Sequence, residues 1–269
     1  MEPGRVSVHN APVAAEFLRS SLLARAGFRH AVFTRRGGHS SEPFDSLHFG
    51  AHGHDAARLA DNVRVAAEAL AVDPSRLYLV TQVHGRDVAA VRGDEDRANV
   101  LAREADVVVT CRAGIACGVK VADCVPILVA DRTTGAVAAI HSGWQGTVAN
   151  VVGAGIAAIR GEVGPGADLV AAIGPHIEAC CFEVGDDVAA KLQACAPGDL
   201  VIERTRGPRP HVHLRKIVRA ELLAAGLADD AIDDVPGCTR CDGARFFSYR
   251  RDRDRSGRML SAIVARGSA

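Results

Sequence analysis

Three side chains that bind metal ions stand at the tips of apolar runs: His84 in "TQVHG", Cys124 in "ADCVP" and His141 in "IHSGW". Each closes or interrupts a β-like run beside turn residues, so neighbouring strands would bring all three to one rim. Two imidazoles and a thiolate are protein ligands for zinc, and a fourth position left to water or substrate is the mark of a catalytic site. The same residue types at hydrogen-bond distance would instead form a Cys–His nucleophilic pair. A plainer reading is a buried cysteine and two hydrogen-bonded strand-end histidines. The long separations along the chain differ from the short spacings of zinc fingers and leave all three readings open.

The elements that must position these residues can be traced in the pattern. "HAVF" from His30 opens as a short strand before a Gly/Ser/Pro loop, and residues 55–72 have apolar residues at helical spacing. Residues 76–85 read as a strand with a polar tip, and 113–144 as three β segments broken at "ADC" and "DRTTG". A helix is expected over 145–163, a buried strand over 167–177, a helix from Asp186 to Cys195, an amphipathic helix over 212–227 and a final hairpin over 244–265. Strands and helices mix without regular βαβ alternation. The expected class is α+β, with mixed β-sheets layered with helices.

Composition narrows the function classes. The chain has 269 residues, with Lys+Arg and Asp+Glu equal at 32 each, so it carries no electrostatic footprint for nucleic acid or an anionic membrane. The opening segment lacks a basic start followed by an unbroken apolar run, and a cytoplasmic protein is expected. The uncharged stretch Thr133–Ile159 contains His141, Ser142, Gln145 and Asn150, and reads as a strand, a turn and a helix rather than a membrane span. The eight cysteines are expected to be thiols or metal ligands, most of them buried small hydrophobes. "CTRC" at 238–241 has metal or redox spacing, yet with no second such pair it reads as two unlinked structural thiols. "GAG" at 153–155 suits close helix packing better than a nucleotide loop.

Further polar residues are weaker candidates. Asp123, beside Cys124, could orient a ligand or carry a proton, or could simply form the turn. Arg35 and Arg36 in "TRRGG", and Arg250 and Arg251 in "SYRRD", present guanidinium forks that match phosphate oxygens, although exposed Arg pairs are usually solvated. Asn62 and Gln82 could contact a base or a ribose.

"TQVHG", "ADCVPILVAD", "HSGWQGT", "IGPHIEACCFEVG" and "FFSYRRDRDRSGR", in this order, resemble the YfiH (laccase-domain) family, and "FTRRGGHSSEPFDSLHFG" resembles its opening motif. The likeness runs from about residue 30 to 265 and implies one domain over 1–269 with the CNF/YfiH-like cysteine hydrolase fold. It implies a purine nucleoside phosphorylase with adenosine deaminase and methylthioadenosine phosphorylase side activities, taking a small-molecule nucleoside and phosphate. It implies zinc held by His84, Cys124 and His141. The family's older label is a copper-dependent polyphenol oxidase. A multicopper centre needs many paired histidines, and only "HGH" at 52–54 and "HVH" at 211–213 have that form, so zinc leads and copper is the alternative.

The family also resembles the catalytic domain of cytotoxic necrotizing factor toxins. That likeness gives a second expectation, a Cys–His hydrolase acting in peptidoglycan-precursor editing, with Cys124 as nucleophile and His141 as base. A non-catalytic metal-binding protein ranks last. The chain departs from the family pattern at Val121, Gln145, His213 and Val218. These departures bear on substrate preference more than on the metal ligands.

Overall fold

The computed structural model describes residues 14–50, 56–198 and 200–267. The "HGH" stretch and Asp55, where the helix expected over 55–72 begins, lie outside the described residues.

Two mixed sheets are stacked face to face. One has six strands in the order Ile232–Asp234, Leu169–Ile173, Val125–Asp131, Val137–Ser142, Val107–Thr110 and Val88–Ala90. Its two outermost pairs are parallel and the inner ones antiparallel. The other has five strands, in the order Phe17–Leu18, His30–Phe33, Met259–Val264, Ala116–Val121 and Leu77–Tyr78.

The sequence of the central strand shows why the layers form. In "VPILVAD" every residue is buried. Val125, Ile127 and Val129 point into one core with the helices Val151–Val163, Asp186–Cys195 and Leu214–Ala224. Leu128 and Ala130 point the other way, into a second core shared with Cys117, Val119 and Ile263 of the five-stranded sheet. A strand covered on both faces reads as a continuous apolar run rather than an alternating one. The outer face of the five-stranded sheet is closed by the helix Ala56–Ala69 and the residue after it, through Val63, Ala66 and Leu70. The layers therefore run helix, sheet, sheet, helices, an α+β fold of mixed sheets. No helix among the described residues is long and apolar enough to cross a membrane.

Three expectations need correction. The strand over 76–85 stops at Tyr78: Thr81 bridges to Glu104 instead, and the carboxylate of Asp106 then gathers the N–H groups of Val83, His84 and Gly85 into a turn. The helix over 145–163 is two helices, Trp144–Val148 and Val151–Val163. Asn150 between them is left-handed at φ 58° and caps the second by accepting from Gly153 N. The final hairpin is absent. Met259–Val264 already pairs on one side with His30–Phe33 and on the other with Ala116–Val121, which leaves no free edge for a hairpin partner. Residues 246–258 instead bury Phe246 and Phe247 and turn once as the helix Tyr249–Asp252.

Candidate active site

One edge of the six-stranded sheet collects the chemistry. Val125 pairs with Ser142 and Pro126 with His141, so Cys124, just before its strand, lies beside the end of the antiparallel neighbour that carries His141. Val107 pairs with Ile140, which sets Asp106 next to His141, and His141 N donates to Asp106 O at 2.8 Å. The strand Val88–Ala90 runs parallel to Val107–Thr110, so the turn before it delivers His84 to the same edge. His84 takes φ 61° and Asp123 φ 88°, both left-handed.

The metal-binding atoms of His84, Cys124 and His141 all lie within 4.8 Å of one another. His84 Nε2 is 3.8 Å from Cys124 Sγ, and the two imidazole rings meet edge-on with centroids 4.9 Å apart. Gly143 explains the glycine of "HSGW": a Cβ there would fall 2.7 Å from His84 Cδ2 and 3.1 Å from Cys124 Sγ. Any side chain would intrude on two of the three.

Asp106 is the residue of the candidate site that sequence reasoning missed. Fully buried, it accepts from His141 Nδ1 at 2.7 Å and from Gly85 N at 2.6 Å. Its charge fixes the His141 tautomer and leaves Nε2 for the site. The available signal was an acidic residue opening the apolar run "DVVVT", where a buried charge demands partners. Burial alone would raise the Asp106 carboxyl, but its bond to His141 and the backbone N–H groups hold it below the usual range. Burial would likewise raise Cys124, yet the neighbouring imidazoles, His141 foremost, bring it down to about 6. Burial would lower His141, and the Cys124 thiolate with Asp106 pushes it up to about 9. Without a cation the pair is thereby a thiolate and an imidazolium near neutral pH.

These residues open into a cleft of about 780 Å³. Trp144, Phe182 and Tyr249 present aromatic rings to it. Lys120, Arg250, Arg253 and Arg258 line it as well, against Asp123 as the single carboxylate among the described lining residues. Gln82 also lines the cleft, but its amide is paired with the backbone of Lys120 at 2.7 and 2.8 Å. Arg250 packs over Phe182 and donates to Glu183 O. Both carboxylate oxygens of Asp123 are taken, by the Thr239 hydroxyl and by Arg250 N at 2.6 Å each, so this residue braces two loops instead of offering a free carboxylate.

Arg35 and Asn62 do not line this cleft. The Arg35 guanidinium holds Asp45 and Gly243 O and lies over the Phe247 ring. Asn62 is fully buried and ties Ser40, His48 and His39 N together. Arg36 bonds Ala244 O, and Arg251 bonds Thr239 O and Phe246 O. Of the cleft's other cations, Lys120 was not anticipated because it stands alone in an apolar run, and Arg253 and Arg258 because they lie in the same Arg-rich stretch as Arg250, where the sequence does not show which arginines face the cleft.

Residues 29–266 match the family described as multi-copper polyphenol oxidoreductase laccase. The chain belongs to this family. It is 35% identical to the purine nucleoside phosphorylase YlmD of Geobacillus stearothermophilus, over 94% of this chain and 96% of that one. It is 36% identical to the adenosine deaminase RL5 of an unknown prokaryotic organism, over 78% of this chain and 83% of that one. The crystal structure of YlmD from Geobacillus stearothermophilus superimposes with a TM-score of 0.84 at 33% identity, covering 95% of this chain and 100% of that one. Metal binding is what the laccase-like family implies. The donor set fits it here, because two imidazoles and a thiolate converge with one imidazole oriented by a buried carboxylate.

Proposed function

We propose that this chain is a zinc-dependent purine nucleoside phosphorylase acting on adenosine, inosine or methylthioadenosine, with adenosine deamination at the same site. The observation that carries this reading is the convergence of His84, Cys124 and His141 on a cleft that offers aromatic faces and cations together. Zinc held by these three would polarise and orient an oxygen nucleophile. Zinc, borderline-soft, suits one thiolate with two imidazoles, and copper is the alternative. Trp144, Phe182 and Tyr249 offer stacking surfaces for a purine, and the cleft has the size of a small-molecule site.

Lys120, Arg250, Arg253 and Arg258 supply positive charge for phosphate, which must be held against the anomeric carbon. As the phosphate oxygen bonds that carbon, the C–N bond breaks and its electron pair leaves with the purine, which then takes a proton. With water as nucleophile at the amino-bearing ring carbon, ammonia leaves instead. Gln145, where the family commonly has Arg, lines the cleft, so this departure would act on substrate choice. Purified protein incubated with adenosine, inosine and methylthioadenosine, with and without phosphate, should give free base and ribose phosphate only when phosphate is present. No product from any of the three would overturn the reading.

The thiolate–imidazolium state of Cys124 and His141 favours one rival, a Cys–His hydrolase that needs no metal. Chelation separates the two. Activity lost on metal removal and restored by zinc belongs to the phosphorylase, and activity that survives complete removal belongs to the hydrolase.

A further inference from the structure

Away from the catalytic edge, a second group of sulfurs converges. Cys180 and Cys181 come from the loop after the strand Leu169–Ile173, and Cys238 and Cys241 from the "CTRC" turn. All four Sγ atoms lie within 4.8 Å of one another. Cys180 Sγ stands 3.7, 3.6 and 3.6 Å from those of Cys181, Cys238 and Cys241, and Cys181 is 3.3 Å from Cys241. The expectation that most cysteines are buried fails, since only Cys117 and Cys181 are; the "CTRC" thiols are free, as expected, but they are not isolated from the other cysteines. Cys180 and Cys241 are exposed, and the two halves of the cluster come together from distant stretches of the chain.

We propose that these four cysteines form a second metal site, holding one tetrahedral divalent cation of the zinc class in an all-thiolate, structural role. A tetrahedron with zinc–sulfur bonds of about 2.3 Å has sulfur–sulfur edges of about 3.8 Å. The spacings above sit close to that edge and far from the roughly 2.0 Å of a disulfide. They are also too tight for sulfurs spread around a multi-iron cluster. Four thiolates and a divalent cation carry net negative charge, and Arg240, inside the "CTRC" turn, places Nη1 3.5 Å from Cys181 Sγ to offset it. Four protein ligands leave no open position, so this site is closed where the His84–Cys124–His141 site is open.

The cation would clamp two segments that wall the catalytic cleft. One carries Ile177 and Phe182 into it, and the other carries Thr239, whose hydroxyl holds Asp123 beside Cys124. The segments already share backbone bonds, His176 N to Gly237 O and Thr239 N to His176 O. Metal at the cluster would thus hold the cleft's shape without touching the substrate.

Metal analysis of the full chain, purified under reducing conditions, tests this directly and independently of any nucleoside activity. The wild type should contain about two equivalents of zinc, and Cys238→Ser/Cys241→Ser and His84→Ala/His141→Ala about one each. Cobalt substitution adds a spectroscopic readout. Intense thiolate-to-cobalt charge transfer should persist in the histidine variant and fall, in the cysteine variant, to the weak band of the single Cys124 thiolate. A measurement on the unmodified protein guards against misfolded variants: native thiol titration should release cation in step with modification of these four cysteines. One equivalent in the wild type, unchanged by the cysteine substitutions, would overturn the proposal. So would a mass deficit showing that these cysteines are joined as disulfides.

Discussion

Asp106 accepts hydrogen bonds from His141 Nδ1 and from the N–H groups of Val83, His84 and Gly85, so one buried carboxylate sets two of the three candidate ligands. Asp106→Asn keeps the shape and removes the charge. Metal affinity, measured by competition with a chromophoric chelator, should fall by about 10–100-fold, the usual loss when a ligand's supporting partner is altered. Gly143→Ala tests the closeness of approach, since the added methyl would press on His84 and Cys124. It should lose metal from this site, with unfolding cooperativity retained. At this scale the sequence was partly legible. His84, Cys124 and His141 stood out because each is a polar residue at the end of an apolar run. Asp106 did not, because an acidic residue before a strand looks like any turn until its partners are known. Arg35 and Asn62 misled for the converse reason: their residue types suit phosphate and base, but backbone carbonyls and neighbouring side chains already occupy them.

Asn150 governs the element scale. It breaks a helix that the apolar pattern read as continuous, and its side chain caps the new start. Asn150→Ala should lower unfolding free energy by about 1–2 kcal/mol, through loss of the cap and the cost of a β-carbon at positive φ. Asn150→Gly, which tolerates that backbone, should cost only a few tenths, and denaturant titration of the two variants distinguishes them. Strands flanked by clear turn residues, such as Val125–Asp131 and Val137–Ser142, were legible because burial on both faces writes a run of apolar residues that polar ones interrupt only at its end. The supposed hairpin over 244–265 was not. Whether an apolar segment becomes a strand depends on whether a neighbour has an edge to spare, and that is decided by distant parts of the chain.

For the molecule as a whole, the formal charge is balanced, so its pH response comes from a few buried groups. Glu221, on the helix Leu214–Ala224, is 8% exposed, and burial pushes its carboxyl up to about 8. A carboxyl whose folded pKa is raised contributes stability that is fully present below the ordinary carboxylate range and lost as pH rises through about 8. Glu221→Gln should therefore melt with the wild type in mild acid and above it in mild alkali. The gap should grow to a few kcal/mol, at about 1.4 kcal/mol for each tenfold difference in proton affinity between folded and unfolded chain. Identical melting curves at alkaline pH would remove this account of Glu221.

The strand Met259–Val264 lies third of five in its sheet although it follows every other strand in the chain. On the ribosome, His30–Phe33 and Ala116–Val121 must therefore wait with bare edges facing a gap that only the last-made strand can fill. The residues that gather at the catalytic edge are translated long before that gap closes. A growing chain thus carries metal-seeking groups while still prone to pair with its neighbours on a polysome, a window in which a chaperone would be most useful.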